Sequence, residues 1–268
     1  MNKRNTRLTI SLTLSVFAAF CYQAQAQNSS NASAIAAKTI HVFVALCDNK
    51  YQGIVKVPAG IGNGQQPSTN LYWGAAYGVK TFFRKSKEWK LIATQKINDT
   101  IPERLLFKHV SEPVYLVADA YDGRYIKACT IDLIRASYGL DKKTMMAGSE
   151  TIGIGGNADV LAYCGHDGLM DFELEQHYAK ADNKTRSVII LACFSKSYFS
   201  PHLQASGIQP LVWSSGLMSP EAYTLHAALN AWIQSESTAV IREAAANAYA
   251  TWQHCSLKAA RNLLVSGW

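Results

Sequence analysis

Much is missing from this sequence, and each absence removes a class of protein. Past the first 26 residues no run comes near the ~18 consecutive apolar residues of a membrane-spanning helix, so the body of the chain carries no stable membrane insertion. No segment repeats at solenoid periods. The cysteines lack the spacing with Cys or His that marks a zinc site, and no motif calls for a metal or another cofactor. Charged residues make up only 17% of the chain, and the basic ones cluster only at Arg84-Lys85 to Lys90 and at Lys142-Lys143. Scattered lysines and arginines of this kind read as a solvated face, not as a nucleic-acid footprint. Low-complexity composition is confined to a short polar run from Gln27 to Ser33.

What is present suits a globular domain. Of 268 residues, 49% are hydrophobic, enough for a proper core. Residues 1–26 read as an export signal: Lys3, Arg4 and Arg7 begin it, Leu8 to Phe20 form its apolar stretch, and Ala24-Gln25-Ala26 offers a cleavage site. Residues 27–38 are then a polar linker and 39–268 the domain, in a periplasmic or secreted protein. Lipidation at Cys21 is the competing reading, but Phe20 stands where a small residue is expected. The formal charge of +7 includes the three basic residues of the leader, so the mature chain carries a mild +4. Cys47, Cys129, Cys164, Cys193 and Cys255 then remain, an odd number that leaves at least one thiol unpaired in an oxidising compartment. Two disulfides and one free nucleophile fit that count, with no pairing dictated.

Taken in order, Thr39 to Asp48 is a near-continuous apolar run ending in polar residues, as in a central parallel strand covered on both faces. Asn49 to Asn70, rich in Gly, Pro and amides, reads as a long loop above that strand end. Helical spacing of large residues predicts a first crossover helix from Asn70, as cap, to Phe83. Strands follow at Trp89–Gln95, Arg104–His109 and Val114–Ala120, then a helix from Thr130 to Tyr138. Ile152 to Asn157 is glycine-rich but precedes a strand, the wrong order for a phosphate loop, and reads as a flexible loop. Two strand-like blocks, Val160–His166 and Ser187–Cys193, are separated by a crossover that is helical around Phe172 to Ala181. After a connector with Pro201 and Gly207 come a strand at Gln209–Gly216 and a helix started by Ser219-Pro220-Glu221 and running to Gln234. Helices at Thr238–His254 and Ser256–Val265 complete the chain. The expectation is an α/β three-layer sandwich with a mostly parallel sheet and a helical C-terminal third.

The chemistry gathers at the ends of the two central blocks. Parallel neighbours would bring His166 and Cys193 out side by side at one sheet edge, where open α/β sheets hold their sites. A cysteine closing an apolar strand is ordinarily a small buried residue, and a strand-end histidine a hydrogen-bonded one. Paired at equivalent strand ends, they offer a nucleophile and its acid–base partner, and the turn through Asp167 and Gly168 offers backbone N–H groups for an oxyanion.

Val160 to His166 followed by Ser187 to Cys193 resembles the strand-His-Gly, helix, strand-(Ala)-Cys order of the caspase-like cysteine peptidases of clan CD, which include caspases, legumains, gingipains and CHAT domains. The similarity extends over most of Thr39 to Trp232. It implies that Cys193 attacks a peptide carbonyl, that His166 protonates the leaving amine, and that the Cys193 N–H and one after His166 hold the oxyanion. It also implies that Asp48, Trp213, Ser214 and Ser215 lie near the P1 side chain, Asp48 favouring a basic residue. Two departures stand out. Asp167 separates His166 from Gly168, where the family has glycine directly after histidine, and 27 residues separate His166 from Cys193, against roughly 50 in caspases.

The expected partner is therefore a peptide or protein substrate. The rival from another class is a noncatalytic exported module on the same fold, binding a peptide or glycan through the Asn49–Asn70 loop with Tyr72 and Trp73. A third reading keeps the dyad and gives it a nonpeptide acyl group.

Overall fold

The computed structural model describes Met1 and residues 37–268; the leader, Cys21 and the polar run after it lie outside the described residues. Strand β1 (Lys38–Ala45) shows why its sequence is apolar without alternation. Ile40, Val42 and Val44 enter one core while Phe43 and Ala45 enter another on the opposite face, so both faces are covered. Beyond it come α1 (Val79–Lys85), the strands β2 (Trp89–Gln95), β3 (Glu103–His109) and β4 (Val114–Tyr121), and α2 (Ile126–Ser137). A hairpin of β5 (Lys142–Ala147) and β6 (Glu150–Gly155) leads to β7 (Val160–Cys164) and β8 (Ser187–Leu191). Then follow α3 (Ser195–Leu203), β9 (Gln209–Ser214), α4 (Ala222–Ile233), α5 (Thr238–Gln253), α6 (Leu257–Leu263) and the short β10 (Leu264–Val265).

The chain forms an α/β fold around an eight-stranded sheet in the order β10-β9-β8-β7-β1-β4-β3-β2. The central pairs β4–β1, β1–β7, β7–β8 and β8–β9 are parallel, and antiparallel pairing is confined to the flanks. Helices α1, α4, α5 and α6 bury Phe83, Leu225, Leu229, Ile241 and Ala260 against one face. On the other face α2 and α3 contribute Leu133, Ile134, Phe199 and Leu203. The β5–β6 hairpin covers what remains, through Ala147, Ile152 and Ile154 on Leu106, Tyr115 and Val117. Each fully buried Val, Leu, Ile or Phe side chain among them contributes about 1.5–3 kcal/mol.

The structure departs from expectation in five places. The crossover from Phe172 to Ala181 is not helical. Phe172 and Leu174 pack at a spacing of two, as in extended chain, and the segment is pinned at its far end by Ala181 N–H on the Tyr138 carbonyl (2.8 Å) and by Arg186 on Asp182 (2.7 Å). The first crossover helix starts only at Val79, because Asn70 serves β1 instead: its side chain accepts from Cys47 N–H (3.0 Å) and donates to the Cys47 carbonyl (2.8 Å). Ile152–Gly155 is a strand of the hairpin, not a loop. The connector holding Pro201 is helix α3, which carries the proline in its interior. Ser219 is not the cap of α4; Glu221 holds that position, and the Ser219 N–H bonds to Tyr249 Oη at 3.2 Å.

Candidate active site

Strands β7 and β8 run parallel in a register that pairs Cys164 with Leu191. His166 lies two residues beyond the first and Cys193 two beyond the second, so both leave the sheet at the same level of its C-terminal edge.

Gly165 allows the chain to turn there. Its φ of +154° suits glycine, and a Cβ would come within 3.0 Å of the Ala45 carbonyl. The Tyr163 hydroxyl then donates to the His166 carbonyl at 2.7 Å. A single 3-10 turn follows (Gly168–Met170), capped by Asp167 Oδ1, which accepts from Leu169 N–H at 3.0 Å. The turn brings Asp171 back onto the imidazole, with His166 Nε2 to Asp171 Oδ2 at 2.8 Å, and the same oxygen accepts from Gly53 N–H at 2.9 Å. Because a carboxylate oxygen accepts, Nε2 carries a proton, and in the neutral tautomer this leaves the lone pair on Nδ1. Nδ1 has no hydrogen-bond partner among the described residues.

Cys193 sits on an equally constrained turn. The next residue, Phe194, adopts the left-handed conformation (φ 50°, ψ 27°), which costs a non-glycine residue about 1–2 kcal/mol. Four hydrogen bonds hold that geometry: Phe194 N–H to the Gly216 carbonyl (2.8 Å), Ser195 N–H to Ser214 Oγ (3.1 Å), Ser195 Oγ–H to the Ile190 carbonyl (2.9 Å), and Ser214 Oγ–H to the Ala192 carbonyl. The thiol is free and half-buried. Its hydrogen-bond partners are both on Met218, whose N–H donates to Sγ at 3.4 Å and whose carbonyl accepts from it at 3.5 Å.

His166 and Cys193 line one cavity of about 540 Å3. Its walls come from the loop after β1 (Ile54, Val57), from Leu71 and Tyr72, and from the β9–α4 loop (Leu217 to Glu221). Burial, together with the neighbouring Cys47 and Cys193, pushes the Tyr72 phenol well above its ordinary range, so it is neutral and can donate a hydrogen bond.

The other candidates fall elsewhere. Asp48 is buried beneath its own loop: Oδ1 accepts from Lys50 N–H (2.8 Å) and Tyr51 N–H (3.2 Å), and Oδ2 from Gln65 (2.7 Å). It holds the loop's shape and is not part of the cavity wall. Trp213 is fully buried, its indole N–H on the Gly267 carbonyl at 3.1 Å, and Ser214 pins the Cys193 turn. Ser215 is exposed and donates to the Asn262 carbonyl at 2.8 Å. None of these three faces the cavity. Asp167 turns inward: it is completely buried, its Oδ2 has no partner, and burial pushes its carboxyl up to about 7. Gly168 is buried too, with no space for a Cβ, which would meet the Phe172 ring at 2.8 Å. Trp73, proposed for glycan stacking, is fully buried with its indole N–H on Glu103 at 2.7 Å.

Cys47, Cys129, Cys164 and Cys255 are free thiols as well, which corrects the expectation of two disulfides. Burial raises Cys47 to about 11 and raises Cys129 and Cys164 further, so these three are inert by comparison with a thiolate nucleophile. Across the sheet, beneath the β5–β6 hairpin, lies a second polar group. Arg104 clasps Asp119 with two 2.6 Å bonds, and His41 Nε2 approaches the same carboxylate at 3.0 Å while Gly155 N–H donates to His41 Nδ1. Burial alone would raise Asp119; the Arg104 bonds and His41 outweigh it and hold the carboxyl below its ordinary value. The adjoining cavity, about 30 Å3, admits nothing larger than water. Among the described residues no group of three or more His, Cys, Asp and Glu side chains is placed to hold a metal ion, and no helix is long and apolar enough to cross a membrane.

Asp171, Gly53 and Met218 were not evident as site residues in the sequence. Comparisons with protein-family models, with curated proteins and with solved structures give no match.

Proposed function

We propose that this chain is an exported cysteine peptidase of the caspase-like type, with Cys193 as nucleophile, His166 as general acid and base, and Asp171 as the residue that orients the imidazole. The observation that carries the reading is the placement of a free thiol and an aspartate-held imidazole at equivalent strand ends on the wall of one cavity. In the reaction the Cys193 thiol proton passes to His166 and sulfur bonds to the peptide carbonyl carbon. The carbonyl oxygen becomes an oxyanion, which the N–H of Cys193, on the cavity wall and donating to no other group among the described residues, is available to receive. Collapse of the adduct breaks the C–N bond as the imidazolium gives its proton to the leaving amine. Water, deprotonated by His166, then hydrolyses the thioester and returns the thiol. Asp171 keeps the proton on Nε2 and stabilises the imidazolium. For attack, the thiol rotates away from Met218 toward the substrate; catalytic contacts commonly tighten only once substrate is bound.

Glycan binding through Tyr72 and Trp73 is disfavoured, because the Trp73 ring is inaccessible and Tyr72 faces the same cavity as the thiol. The deciding experiment is labelling of the folded protein by a peptidyl acyloxymethyl ketone. Stoichiometric modification of Cys193, abolished in His166→Ala, supports the reading; an inert Cys193 in folded protein refutes it.

A further inference from the structure

The cavity wall carries information about the substrate that the dyad does not. Met218, whose backbone N–H and carbonyl both contact Sγ, lines the cavity together with the apolar side chains of Leu71, Val57 and Ile54. The thiol end of a peptidase cleft meets the acyl half of the scissile bond, whereas the imidazole, which protonates the leaving amine, marks the other half. An apolar wall beginning at Met218 therefore faces the side chain of the residue whose carbonyl is attacked.

Charge on this wall is scarce. Asp48, the carboxylate expected to receive a basic residue, is consumed by its own loop. Glu221 is the one carboxylate that lines the cavity, and its Oε2 is partly satisfied within the fold, accepting from Tyr223 Oη at 2.7 Å and Gln253 Nε2 at 3.1 Å. No lysine or arginine lines the cavity, so an acidic side chain would find no countercharge. Around the mouth, Val55 and Leu217 are exposed at 92% and 69%, apolar groups that a bound side chain would take out of water.

Resting on the assignment of Cys193 as nucleophile, we propose that the cleft selects substrates with a large aliphatic or aromatic P1 residue, received by Met218, Leu71, Val57 and Ile54, and rejects basic and acidic ones. Desolvating a charged side chain against this wall costs binding, whereas burying an apolar one gains it. Acyloxymethyl ketones on one peptide scaffold, varied at P1 through Leu, Phe, Ala, Lys and Asp, test this by their second-order rates of Cys193 labelling in the full chain. The Leu and Phe probes should react at least about tenfold faster than Lys or Asp, with Ala between, the difference expected from burying one such side chain. Leu217→Asp, at an exposed position that leaves the fold intact, should narrow the Leu-over-Lys ratio several-fold. Equal rates, or fastest labelling by Lys or Asp, would overturn the preference while leaving the peptidase reading standing. Failure of every probe to label would sink both.

Discussion

Replacing Asp167 by asparagine should stabilise the protein, and more so the higher the pH. The carboxyl is completely buried, one oxygen is satisfied by Leu169 N–H, and the other has no partner, so the group resists ionisation and its pKa rises from the ordinary 3.8 to about 7. The direction is the reverse of that for an ion-paired aspartate. The folded state binds the proton more tightly than the unfolded one, so stability begins to fall as pH passes the unfolded value and levels off above about 7. At about 1.36 kcal/mol per pKa unit, the full penalty is about 4 kcal/mol, of which about 2–3 kcal/mol accrues between about pH 5 and about pH 8. Asparagine keeps Oδ1 for Leu169 N–H and puts an amide nitrogen where the lone Oδ2 lies. Any cost of that buried amide is independent of pH and cancels when the variant's advantage is compared between the two pH values. Urea unfolding followed by tryptophan fluorescence measures it, and titrations elsewhere in the molecule are shared by both proteins. An advantage that changes by less than about 0.5 kcal/mol across that range would refute the buried-acid account.

Asp171→Asn should leave Tm nearly unchanged, the side chain being partly exposed, while lowering the rate of Cys193 labelling at least about tenfold by losing control of the His166 tautomer; an unchanged rate would remove Asp171 from the mechanism. Arg104→Met should cost about 3–5 kcal/mol in urea unfolding, since it leaves Asp119 buried with His41 as its remaining polar partner, and a loss under about 1 kcal/mol would mean the pair is nearly neutral. Dithiothreitol should not move Tm, because the five thiols among the described residues are free; a drop of several degrees would reveal a disulfide.

Strands were the most legible elements because burial on both sheet faces writes itself into contiguous β-branched runs such as Val188 to Leu191, whose residues alternate between the two cores. The helices α4 and α5 were legible for a related reason, Leu225 and Leu229, then Ile241 and Ala245, recurring along one helix face. Illegible were segments whose shape is set by single polar contacts with distant chain. Asn70 looks like a helix cap, but its amide is matched to both backbone groups of Cys47, 23 residues away, which holds residues 70–78 in turns. The hairpin β5–β6 was hidden by its glycines, which permit a strand without announcing one.

The site divides along the same line. His166 and Cys193 could be paired from sequence because the strand that carries each one is apolar and the register of parallel neighbours does the rest. Asp171 could not, because what brings it to the imidazole is a turn that exists only when Asp167 is folded inward as its cap. That makes Asp167, which stands between His166 and Gly168, the residue that positions Asp171 beside the imidazole. Its cap is made by one oxygen and its strain by the other, so the acid and its asparagine replacement should position Asp171 alike while differing in stability. Asp167→Asn should therefore keep the Cys193 labelling rate, whereas Asp167→Ala, which deletes the cap, should lower it; equal rates in both variants would separate the turn from the chemistry.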